Sequence, residues 1–191
     1  MDSIVIAATG DSEEPVTVDM AKAHCRVDVD DDDALFESIY IPAARQTVEQ
    51  YTGLTLLSCD VDVLVCQCDV TQNVIAVPVQ PVASVTALAT VDANGVQTPL
   101  DLDEYGIAVA KVGMRSVIVA RNGPLPSAPY YRVQYVAGYA ENATPPNLLL
   151  AILEYVGDAY ENREAQQTSQ AINDNPRAVR LMDPFRITFG L

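Results

Sequence analysis

The sequence predicts an α+β protein: a helical body in which N- and C-terminal helices pack together, with an antiparallel β-rich domain inserted between them. Three observations carry this. Apolar residues recur at three- to four-residue spacing near both ends of the chain, the period of a helix with one buried face. Between residues 54 and 145 they alternate instead, the period of a strand. Within that stretch Asn94-Gly95 joins two β-rich runs, and both residues tolerate the positive φ that a tight hairpin needs. The expected divisions are 1–53, the N-terminal helical part of the body; 54–145, the β-rich insertion; and 146–191, the C-terminal helices and an extended tail. A chain of 191 residues is about one domain with an insertion, and 49% apolar against 19% charged residues is enough for a core.

Thr17 is placed to cap a first helix from Val18 to about Arg26, with Asp19 near its positive end and Met20 or Ala21 buried with Cys25. A run of aspartates follows, Asp28, Asp30, Asp31, Asp32 and Asp33, and leads into a second helix. Its expected apolar face is Leu35, Ile39, Ala43 and Thr47, flanked by Phe36, Val48 and Tyr51, with a bend at Pro42 and a stop at Gly53. Strands are expected around Val61–Val65, Val85–Val91, Tyr105–Val109, Ser116–Ala120 and Tyr130–Val136. Leu149, Ile152, Leu153, Val156 and Tyr160 mark a long C-terminal helix. Asn175-Pro176 opens a short one to about Met182, ended by Pro184, and Phe185 to Leu191 is extended in character.

Eleven Lys and Arg against 26 Asp and Glu leave a net charge of −15. That balance works against partners bound through phosphates or anionic lipid. Residues 1–53 carry −9 of it, 54–145 carry −4 and 146–191 carry −2. The acidic N-terminus lacks the basic residues of a signal peptide, and no apolar run approaches a membrane span, so a soluble protein without a cleaved signal is expected.

Parts for catalysis are few: no Trp, one histidine, His24, and two lysines, Lys22 and Lys111. Nucleophile elbows, phosphate-binding glycine loops and paired CxxC motifs are absent from the sequence, so no catalytic, cofactor or metal residue is assigned. The aspartate run fails as a calcium loop, because Asp33 stands where Gly is needed and Ile39 where a bidentate Glu is needed. Its expected role is to cap the following helix. Cys25, Cys59, Cys66 and Cys68 lack zinc-knuckle spacing and read as buried reduced thiols, and Tyr130, Tyr131 and Tyr135 read as core and rim packing. Asn142-Ala143-Thr144 has the form of a glycosylation sequon but reads as chance.

Taken in order, several segments resemble the phage head-tail connector family, also called adaptor or head-completion proteins, of tailed phages and gene transfer agents. They are Glu14-Pro15-Val16-Thr17, Ala21-Lys22-Ala23-His24-Cys25-Arg26-Val27-Asp28, Ala43-Ala44-Arg45, Val48 to Gly53, Pro81 to Val85, Val91 to Gly95, Tyr135 to Tyr139, Tyr160 to Glu164, and Met182 to Arg186. Pro42, the pair Cys66 and Cys68, and Leu125-Pro126 depart from the pattern.

The resemblance implies a non-enzymatic virion protein without a cofactor, assembled in the host cytoplasm and located at the head-tail interface. It would form a ring, usually dodecameric, on the portal protein, extend the DNA channel without binding DNA specifically, and offer a platform to the next neck, stopper or tail protein. The portal or subunit interface is expected at Phe185, Arg186, Ile187, Phe189 and Leu191, and ring contacts at Glu161, Arg163, Glu164, Arg177 and Arg180. The alternative from another class is a small acidic DNA-mimic inhibitor of a host DNA-binding protein. It would need carboxylates spaced like phosphates, whereas many here fall in one six-residue loop.

Overall fold

The computed structural model describes residues 3–10, 13–71, 73–162 and 175–187. In chain order its elements are strand β1 (Ser3–Thr9), helices α1 (Val18–Cys25) and α2 (Asp33–Leu35), a π-helical turn (Phe36–Tyr40), and helix α3 (Ile41–Thr52). Strands β2 (Cys59–Cys66), β3 (Val70–Thr71), β4 (Val74–Ala76), β5 (Val82–Val91), β6 (Gln97–Leu100), β7 (Ile107–Val112), β8 (Arg115–Ala120) and β9 (Tyr130–Ala137) follow. Helices α4 (Pro146–Glu161) and α5 (Pro176–Met182) and a 3-10 turn (Asp183–Phe185) complete the described chain. The fold is α+β with antiparallel sheets. Two compact units result, one from Met1–Ser12 and Leu57–Ala140, the other from Glu13–Leu56 and Glu141–Leu191. Among the described residues no helix is long and apolar enough to cross a membrane.

The β unit holds a five-stranded sheet in the order β1-β2-β9-β5-β6 and a four-stranded one in the order β3-β4-β8-β7. Val61, Val63 and Val65 of β2 and Tyr131, Val133, Tyr135 and Ala137 of β9 face a core that Ile75 and Ile118 close from the second sheet. Tyr131 and Tyr135 are buried there, their hydroxyls bonded to the Pro126 and Val79 carbonyls, while Tyr130 is exposed. Asp92 shapes the β5–β6 turn by accepting from the Asn94 and Val96 amides, with Gly95 at φ 82°. Gly138 ends β9 at φ 90° with its α-carbon against the Leu57 carbonyl, a position where a Cβ has no room.

Three sequence expectations change here. The first 53 residues begin with a strand, not a helix: β1 pairs antiparallel with β2 and belongs to the β unit. In β5 the expected alternation breaks, because bulges between Val82 and Ser84 and between Val85 and Ala87 shift its register against β9. Leu88, which a strict alternation would set on the face opposite Val85 and Val91, is thereby turned into the core opposite Val133. The cysteines carry free thiols, but none is fully buried, and Cys68 is exposed.

In the helical unit the expected second helix is interrupted. The Ile41 amide donates to the Phe36 carbonyl, five residues back, and this wide turn comes just before Pro42, where a regular helix would set the ring against a carbonyl. The extra residue rotates the following helix by about 100°. Phe36, Ile41, Ala44, Val48 and Thr52 therefore form the buried face, not Leu35, Ile39, Ala43 and Thr47. Phe36 stacks on Tyr160 of α4, with ring centroids 5.1 Å apart, and α4 buries Leu148, Ala151, Ile152 and Val156. Helix starts follow the sequence reading at two places: Thr17 accepts from the Met20 amide, and Asn175 from those of Arg177 and Ala178. Of the pair Met20 and Ala21, Ala21 is the buried one, and Lys22 of α1 is buried beside it.

Candidate interaction surfaces

The aspartate run folds around a lysine that sequence reasoning passed over. Lys22 lies on α1 with its side chain mostly buried, and its ammonium meets Asp30 at 2.6 Å and Asp33 at 2.7 Å. Both hydrogen bonds favour the charged forms, pushing the Lys22 ammonium above its ordinary range and the Asp30 carboxyl below its own. Asp32 accepts from the Tyr160 hydroxyl, and its backbone carbonyl, not its side chain, receives the first amides of the helix. As expected, Asp32 stands at the N-cap and Asp33 in the first turn, but no side-chain cap bond forms: the two carboxylates pair with Tyr160 and Lys22, groups that lie within reach and are otherwise costly to bury. Asp28 and Asp31 stay exposed. Among the described residues no three metal-ligating side chains converge.

The same unit carries the helical stripe that the sequence marks as core. Leu35 is 37% exposed and Ile39 52%, with Ala43 and Thr47 continuing the line in solvent and Asp31 preceding it by one turn. A second exposed apolar site lies in the β unit, where Gly113 at φ 64° makes the β7–β8 turn. There Val112 is 63% and Met114 48% exposed beside an exposed Lys111. Strand β1 is a third, an edge strand with Ile4, Val5 and Ile6 exposed.

The expected tail interface is divided. Ile187 is not available to a partner as it stands: it is 6% exposed, its amide donates to the Thr52 carbonyl, and its side chain lies over Gly53. Phe185 is half-buried at the end of a 3-10 turn, not in an extended strand, because Pro184 and the Arg186 to Asp183 backbone bond close that turn. Arg186 is exposed above the Tyr51 ring, whose hydroxyl donates to Asp183. Phe189 and Leu191 lie outside the described residues, as do Arg163 and Glu164. Of the remaining expected ring contacts, Glu161 and Arg180 are exposed, and Arg177 pairs with Glu154 of its own chain at 3.1 Å.

The chain is thus a helical unit interrupted by an antiparallel β unit, with ion pairs among its own side chains and large apolar side chains left exposed. Residues 15–98, a little under half of the chain, match the family model described as phage gp6-like head-tail connector protein, in line with the resemblance read from the sequence. Solved structures extend the likeness to the whole chain. A chain of the neck of an empty GTA particle, computed with C6 symmetry, is 26% identical with a TM-score of 0.73, over 97% of this chain and 98% of that one. A chain of the virion of a native gene transfer agent particle is 25% identical at a TM-score of 0.69, over 100% and 98%. One from the neck of a native GTA particle, computed with C12 symmetry, is 25% identical at 0.67, over 97% and 98%. No curated protein sequence matches.

Proposed function

We propose that this chain is the adaptor subunit of a tailed phage or gene transfer agent, a non-enzymatic virion protein assembled in the host cytoplasm. Twelve copies form a ring on the portal vertex, extend the DNA channel and present a platform to the next neck, stopper or tail protein. The observation that carries this reading is the end-to-end likeness to chains of GTA necks with six- and twelve-fold symmetry. The helical body, its N- and C-terminal helices packed together, forms the ring wall, with Glu161, Arg163, Glu164 and Arg180 at its contacts. Phe189 and Leu191, beyond the anchored Ile187, reach the portal. Acidic residues that face the channel repel phosphate, so DNA passes without adhering. The DNA-mimic alternative loses ground because Asp30, Asp33 and Asp62 are engaged by the chain's own cations.

Sedimentation with and without the cognate portal protein tests this. A ring-sized increment on the portal is expected, and a monomer under both conditions would refute it.

A further inference from the structure

Resting on that ring reading, we propose that neighbouring copies also touch at a second place, besides the helical-body contacts, where the β7–β8 hairpin tip of one copy seats on the Leu35–Ile39 stripe of the next, with Lys111 paired to Asp31. A closed ring is built from heterologous contacts, so each copy must present two different, complementary faces. The stripe is one such face. Asp31, Leu35, Ile39 and Ala43 follow at four-residue intervals, all exposed, with two large apolar side chains beyond an acid. Apolar residues at core spacing that their own chain leaves in water mark a surface awaiting a partner.

Charge selects the occupant. The stripe's approach is acidic, with Asp28 and Asp31 exposed and Glu37 beside it, so its partner must bring a cation. In a chain of −15 these are scarce, and many are committed. Lys22 holds Asp30 and Asp33, Arg45 holds Glu14 and Glu49, Arg132 holds Asp62, and Arg177 holds Glu154. Arg26, Lys111, Arg121, Arg180 and Arg186 are exposed, and among them Lys111 alone adjoins exposed large apolar side chains, Val112 and Met114. The hairpin tip thus matches the stripe in kind: two apolar side chains and one cation against two apolar side chains and one anion. Its two-residue turn is narrow enough to lie along a helix face. The unguarded edge of β1 offers no charge to answer the aspartates, and β6, at the other end of that sheet, carries Pro99, which blunts an edge.

The composition makes the test clean, since Lys111 and the internally paired Lys22 are the only lysines. The full-length protein, mixed from isotope-labelled and unlabelled batches, is treated with a zero-length carbodiimide and digested. Mixed-isotope peptides joining Lys111 to Asp31 are expected. The charge-reversal variants Lys111→Glu and Asp31→Lys should each lower the yield of cross-linked dimer at least tenfold, and the double variant should restore it to within about threefold of the parent. Circular dichroism melts confirm that all three fold. Intermolecular cross-links that spare Lys111, or single variants that cross-link as the parent does, would overturn this contact while leaving the ring intact. Absence of any intermolecular product would likewise overturn this contact, whereas only a monomer on the portal in sedimentation would overturn the ring reading itself.

Discussion

Replacing Gln80 with leucine isolates what one buried amide does for the β unit. The β4–β8 ladder ends at Ala76 opposite Val117, and the Gln80 side chain continues it by one step. Its Oε1 accepts from the Ser116 amide at 2.8 Å, and its Nε2 donates to the Ser116 carbonyl at 2.8 Å and the Val77 carbonyl at 3.0 Å. Both Gln80 and Ser116 are buried, so water cannot replace these bonds. Leucine keeps most of the volume and no polar atom. The orphaned Ser116 amide then costs about 2 kcal/mol, and the two carbonyls, each with a second lone pair, about 0.5 to 1 kcal/mol apiece. Burial of the added apolar surface returns about 1 kcal/mol, leaving a net loss of about 2 to 3 kcal/mol. For a unit of this size that lowers the thermal midpoint by about 10 °C or more. Urea unfolding followed by far-ultraviolet circular dichroism and tyrosine fluorescence reads this directly, since the chain has no tryptophan. The companion Gln80→Glu keeps the acceptor but turns a carboxylate toward two carbonyls. At pH 7 it should be less stable than the leucine variant. Burial raises its folded pKa above the unfolded value of about 4.3, so its deficit shrinks as pH falls toward 4. A leucine variant within 0.5 kcal/mol of the parent would refute the ladder argument.

Four further outcomes are expected. Arg45→Met strands the Glu14 and Glu49 carboxylates, which Arg45 holds at 2.8 and 2.7 Å, and should cost about 2 to 3 kcal/mol in chemical denaturation, less than a fully buried pair because Glu14 is partly solvated. Gly138→Ala places a Cβ against the Leu57 carbonyl at positive φ and should leave the protein in the insoluble fraction on expression, whereas Gly95→Ala, with open space around it, should stay soluble. Arg132 holds the Asp62 carboxyl below its usual range, so this pairing stabilises fully above the unfolded pKa of about 3.9 and is lost as pH falls through the lower folded value. The midpoint gap between the parent and Asp62→Asn should accordingly be constant from pH 7 to about 5 and close below pH 4. Twelve copies at −15 sum to roughly −180, so repulsion outweighs any single pair and assembly should strengthen between 50 and 300 mM salt, as mass photometry on the portal would show.

Features held by neighbouring residues were legible in the sequence: the Thr17 and Asn175 caps, the Gly53 stop, the Asp92–Gly95 turn and the alternation in β2. Features that depend on distant partners were not. Strand β1 has the composition of a strand, yet a five-residue apolar run before a helix carries no mark of pairing with residues 60–65. Nothing marked Lys22 as an ion-pair centre, because its partners lie 8 and 11 positions on, beyond any helical spacing. The bulges in β5 leave no signature but the misplaced Leu88, which a strict period of two assigns to the wrong face.

The helical segment from Asp33 to Thr52 shows most clearly what periodicity measures. Two apolar faces are written into it, Leu35–Ile39–Ala43 on a spacing of four and Phe36–Ile41–Ala44–Val48 on a spacing that closes only if one turn is π-helical. An unbroken α-helix would favour the first, and Pro42 tips the choice by making the wide turn the easier path. Burying Phe36, Ile41 and Val48 at about 1.5 to 3 kcal/mol each outweighs a strained turn, so the chain's own core takes the second face. The first face remains just as apolar. Spacing thus identifies surfaces that must be covered, and only the fold distinguishes those covered from within from those left to a neighbouring molecule.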